Sequence, residues 1–71
     1  MTIHEKIAKN LKKFRERRGI SQHELARQSG ISSCLICWLE ANKRKNVTIT
    51  TLEKLGVPLG AKVVDFFHGQ D

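Results

Sequence analysis

An all-α fold, a small bundle of five helices, is what this sequence predicts, and three observations predict it. Apolar residues recur at helical spacing. Ser/Thr-x-x-Glu boxes, which satisfy the free amides of a helix start, stand at three places along the chain. The stretch from Ser21 to Glu40 reads as two short helices broken by one glycine. Seventy-one residues make one domain spanning 1–71, with a small core.

Thr2 and Glu5 form the first box and open a helix that runs to about Arg18. Ile3, Ile7, Leu11 and Phe14 recur at spacings of four, four and three, an amphipathic stripe. Gly19 closes this helix after basic residues that suit its C-terminal dipole. Ser21 and Glu24 form the second box. A helix over about 22–29 follows, with Leu25 and Ala26 inward and Gly30 at its end in the left-handed conformation. Ile31 enters the core, and Ser32 caps a third helix over about 33–41, whose Ile36 and Leu39 share one face.

The loop 41–46 is polar and basic, with Asn42 suited to a left-handed helix end. Val47 and Ile49 tuck it against the core. Thr50 and Glu53 form the third box and start helix four, which carries Leu52 and Leu55 inward. Pro58 should stop that helix near Gly56 or Val57, or kink it, because proline removes a hydrogen bond and clashes with the preceding turn. A last helix over about 61–67 presents Val63, Val64, Phe66 and Phe67. Phe66 and Phe67 point about 100° apart, so they cannot both enter one core. Residues 69–71 read as a frayed tail.

Two helices of about two turns joined by a glycine-containing turn match the helix-turn-helix. Gln22, Leu25, Ala26, Gly30, Ile31, Ile36, Leu39 and Glu40 fall in the register of one family. Leu11, Phe14, Arg15, Arg18, Gly19, Ser21, Gln22, Glu24, Leu25, Ala26, Ser29, Gly30, Ile31 and Ser32 follow its wider signature, with Phe14 in place of its second leucine. On these residues the chain resembles the xenobiotic-response-element family, which includes the phage Cro and repressor DNA-binding domains. The resemblance implies a five-helix lambda-repressor-like domain and a DNA-binding transcriptional regulator, a repressor with activation equally open, acting as a dimer on an inverted repeat.

Charge agrees with a polyanionic partner. The formal charge is +6, and residues 1–45 hold eleven Lys or Arg against four acids, whereas residues 46–71 hold two against three. One basic region and one near-neutral end suit a nucleic-acid face and a separate contact surface. No apolar run approaches the roughly 20 residues of a membrane span, and the start is not signal-like, which points to the cytoplasm.

The resemblance also assigns roles. It puts Ser32, Ser33, Cys34, Cys37 and Trp38 of the third helix in the major groove, which is wide enough for a helix. Serines discriminate bases weakly, and the set contains no Arg, Gln or Asn. It makes Gln22 a phosphate contact at a helix N-terminus, and Lys43, Arg44 and Lys45 contacts to the flanking strand. Arg17 and Arg18 read better as an exposed helix face. Arg15 and Glu40 are implied to pair structurally, bracing the first helix against the third. The dimer interface is expected at Val63, Val64, Phe66 and Phe67.

Cys34-x-x-Cys37 raises a redox or metal alternative. Structural zinc needs four ligands, and no second such pair exists, so incidental small residues are the better account. His4, His23 and His68 assemble no catalytic set, so no enzyme, metal or cofactor is expected. The rival function is a protein-interaction module, with Leu35 and Trp38 of an apolar third helix binding a partner such as a toxin.

Overall fold

The computed structural model describes residues 2–43 and 47–68. Its elements are α1 (Ile3–Arg18), α2 (Gln22–Ser29), α3 (Ser33–Glu40) and α4 (Ile49–Leu59), followed by a short 3-10 helix at Val63–Phe67. The described residues thus hold four α-helices rather than five, and no strand. The last element closes with an i to i+3 bond, and its C-terminal end is held from outside. Asp65 donates its N–H to the Lys62 carbonyl at 2.9 Å, while the Asn10 side-chain amide on α1 donates to the carbonyls of Phe66 and His68, each at 2.8 Å. Carbonyls spent on Asn10 do not serve a further helical turn.

The helix starts follow the caps in part. Thr2 and Glu5 make the full reciprocal box, at 3.2 and 2.8 Å. At α2 the Ser21 hydroxyl accepts the Glu24 N–H at 3.1 Å, but the Glu24 carboxylate turns away to Arg27 and Gln28. The third box does not form. Thr48, not Thr50, caps α4, accepting the Thr51 N–H at 3.1 Å. That start leaves Ile49 55% exposed rather than tucked inward.

Pro58 stops α4 neither at Gly56 nor at Val57; the helix runs on to Leu59. Pro58 lacks the N–H that would reach the Lys54 carbonyl, and Lys54 is exposed, so water can serve that oxygen. Burial of Leu59 and a closed end hold the final turn. Gly60 takes φ 68°, and Ala61 donates to the Gly56 carbonyl at 2.9 Å, a Schellman closure.

One core serves all five elements. Ile7, Leu11, Leu25, Ile36, Leu39, Leu52, Leu55, Leu59 and Phe66 form it, with Phe14 packed on its edge. The Phe14 and Phe66 rings meet edge to face at 5.4 Å, a favoured aromatic arrangement. α1 packs on α3 and on the 3-10 helix, while α2 packs on α3 and α4. Ile3, first in the predicted stripe, is instead 45% exposed, because it sits in the first turn, beyond the reach of the bundle.

Candidate nucleic-acid interface

The turn between α2 and α3 fixes the angle at which α3 is presented. Gly30 has φ 76°, a conformation that costs other residues about 1–2 kcal/mol. A Cβ there would meet nothing within 4 Å, so the glycine is required by backbone conformation and not by space. Ile31 donates its N–H to the Ser29 hydroxyl at 3.2 Å. Ser32 then caps α3, accepting the Leu35 N–H at 3.1 Å.

Burial divides α3 into two faces. Ile36 and Leu39 are in the core, and Leu35 packs against it. Ser32, Cys34, Cys37 and Trp38 are exposed, Ser33 half-buried. Trp38 keeps 43% of its surface in solvent, although an indole is a costly group to leave in water. With Leu35 turned inward, the apolar surface expected by the rival reading shrinks to Trp38 and the two thiols.

The far end of α3 is closed by Asn42 at φ 59°. Asn42 donates to the Leu39 carbonyl at 3.1 Å, and Lys43 donates its backbone N–H to the Trp38 carbonyl at 2.8 Å. This closure ties the exposed Lys43 directly to the end of the exposed face. Arg44 and Lys45 lie outside the described residues, as does the tail 69–71.

Behind α3, Arg15 and Glu40 meet in a bidentate pair. Arg15 Nε donates to Glu40 Oε2 at 2.7 Å and Nη2 to Oε1 at 3.0 Å. Their side chains are only 14% and 5% exposed. Hydrogen bonding to Glu40 pushes the Arg15 guanidinium further above its ordinary value. Arg15 also donates to the Ile20 carbonyl at 2.9 Å, so its charge and donors are spent inside the fold.

Gln22 joins this cluster, donating from Nε2 to Glu40 Oε1 at 3.0 Å. Its side chain is therefore braced, with a second amide hydrogen still available. One open recess brings Gln22 together with Lys12, Arg15, Cys37, Glu40 and Ala41. Lys12 stands here in the same recess as the exposed Cys37. Sequence reasoning passed over it as one lysine among several on α1; its i, i+3 spacing from Arg15 was the signal.

The C-terminal residues separate. Phe66 is fully buried, whereas Val64 is 54% exposed and Val57, on α4, is 81% exposed. Phe66 therefore cannot serve as a surface contact: it is the core residue that Phe14 packs against. Val63 and Phe67 are half-buried and pack on the core edge. Arg17 and Arg18 are exposed and line an open cavity with Phe14, Leu59 and Asp65. Among the described residues no group of three or more His, Cys, Asp or Glu side chains converges to hold a metal, and no helix is long and apolar enough to cross a membrane.

Comparison with known proteins bears on this geometry. Residues 10–68 match the model of the Cro/C1-type HTH DNA-binding domain. A hypothetical transcription factor of Neisseria meningitidis serogroup B (strain ATCC BAA-335 / MC58) is 39% identical over 54 residues, 76% of this chain. The chain spans 50% of that protein's length. The crystal structure of the hypothetical transcription factor NHTF from Neisseria superposes with a TM-score of 0.87 at 28% identity, over 94% of this chain and 76% of that one. A transcriptional regulator of the HTH_3 family from Vibrio cholerae gives a TM-score of 0.83 at 32% identity, over 92% of this chain and 36% of that one. The family match covers most of the chain, and the chain belongs to the Cro/C1-type helix-turn-helix DNA-binding domains.

Proposed function

We propose that this chain is a sequence-specific transcriptional repressor whose α3 enters the major groove of duplex DNA. The observation that carries the reading is the division of α3, with Ile36 and Leu39 locked in the core and Cys34, Cys37 and Trp38 left in solvent. Ser32, Ser33, Cys34, Cys37 and Trp38 meet the groove. The N-terminus of α2 at Gln22 takes a phosphate, with the braced side chain adding a donor. Lys43, Arg44 and Lys45 neutralise the flanking backbone, and Lys12 extends that rim.

With no Arg, Gln or Asn on the exposed face, base-edge hydrogen bonds are few, and affinity rests mainly on phosphates. Apolar contact from the thiols and Trp38 to thymine methyls and sugars supplies discrimination. Two copies associate through the exposed Val64, with Val63 and Phe67 at its edges. The pair sets its two α3 helices about 34 Å apart on an inverted repeat. Its place of action is the cytoplasm, and it blocks transcription without enzymatic chemistry.

A salt titration of binding to duplex tests this. Log affinity should fall linearly with log salt, and Lys43→Ala should reduce the slope by about 0.9, the value for one phosphate left without its cation. A flat salt dependence contradicts the reading. Absence of any shift at low salt, joined to capture of a protein partner such as a toxin through Trp38, favours the interaction-module alternative.

A further inference from the structure

We propose that Cys34 and Cys37 form a two-thiol chelating site for a soft, thiophilic centre, placed on the helix that meets DNA. Both cysteines are free and exposed. Three positions apart on α3, they are neighbours on one face, with about 5–6 Å between their Cβ atoms. That separation exceeds the roughly 3.5–4.5 Å of a disulfide. It suits one larger atom bridging the two sulfurs. Zinc is a poor occupant, because a closed zinc site takes four protein ligands and no such group exists among the described residues. A centre that takes two protein sulfurs, a monosubstituted trivalent arsenical or a two-coordinate d10 ion, matches what the helix offers.

The surroundings favour the same occupant. Cys37 lines the recess that also holds Lys12 and Gln22, so a cation shares a recess with one of the two thiols. Trp38 follows Cys34 by one turn and is also exposed. A centre held there projects from the face that meets the groove, so chelation would release DNA. That consequence rests on the function proposed above; chelation itself does not.

Phenylarsine oxide is the probe. Arsenic stays trivalent: two As–S bonds form, the As–O bond breaks, and both thiol protons leave with that oxygen as water. Intact mass and free-thiol count are followed for the wild-type chain, Cys34→Ser and Cys37→Ser. Each protein is compared with itself before and after the probe in duplex binding. The wild type should take one probe per chain, lose both thiols, resist excess monothiol and be released by ethanedithiol. Either variant's adduct should be stripped by monothiol. Wild-type duplex affinity should fall about tenfold or more, the scale of losing one base pair's recognition. A wild-type adduct stripped as readily as the variants' overturns the chelate. A stable chelate with unchanged duplex affinity overturns its control of DNA binding. If the untreated chain binds no duplex, the DNA reading falls, and mass and thiol count still decide the chelate. Separate titration with Cu(I) distinguishes a metal from an arsenical as the better occupant.

Discussion

Glu40 holds two side chains at once, the Arg15 guanidinium and the Gln22 amide, and so ties α1, α2 and α3 together at the back of the exposed face. Truncating one partner leaves the other buried and charged, which costs about 3–5 kcal/mol. Glu40→Ala should therefore lose about that much in urea unfolding, whereas the double change Arg15→Met with Glu40→Leu should recover most of it. A Glu40→Ala loss below about 1 kcal/mol, the range of an exposed pair, would contradict the geometry. A different carboxylate contributes to acid behaviour. The Arg27 guanidinium, with help from Gln28, lowers Glu24 from 4.5 to about 2. A folded-state value below the unfolded one means that its contribution is present above the unfolded value and fades as pH falls toward 2. Glu24→Gln should accordingly show a shallower loss of stability between pH 4.5 and 2; an identical acid profile would contradict it. The Arg15–Glu40 pair was legible only through the family signature. Asn10 was not legible at all, since its partners lie some 56 residues away and no local pattern encodes them.

At the scale of elements, helix ends with a single candidate residue were legible and those with two were not. Gly19 and Gly30 close α1 and α2 where the sequence put them. For α4, Thr48 and Thr50 both offer a capping hydroxyl, and only packing of Leu52 and Leu55 distinguishes the starts. Its C-terminus followed tertiary burial of Leu59 over the local preference of Pro58. The last element ends where Asn10 takes the Phe66 and His68 carbonyls, a long-range contact that no local pattern encodes. The same corner carries a tight approach: a Cβ on Gly56 would lie 2.3 Å from the Ala61 carbonyl oxygen and 3.6 Å from the Phe66 ring. Backbone cannot yield as a side-chain tip can. Gly56→Ala should therefore destabilise by about 1–3 kcal/mol despite alanine's better helix propensity, read as a lowered urea midpoint. A stabilised variant would show that the α4 end is looser than described.

For the whole molecule, the asymmetry of charge and the division of α3 point the same way. The basic N-terminal region puts Lys12 of α1 in one recess with Cys37 and the exposed Lys43 at the end of α3, while Val57 and Val64 stand exposed on α4 and the 3-10 helix. The overall architecture was legible because helical periodicity and caps are local, and the outward set on α3 because it follows the register of one helix. Which cation stands beside which thiol required the packing of α1 on α3. The chain carries one tryptophan, and it is the residue at the centre of that face. Its fluorescence is the most direct measurement, followed as duplex is titrated into the protein at low salt. The account predicts a saturable change in Trp38 emission that tracks duplex binding measured by anisotropy of labelled DNA, and that salt reverses in parallel. Duplex binding with Trp38 emission unchanged would contradict it, because α3 would then not be the element that meets DNA.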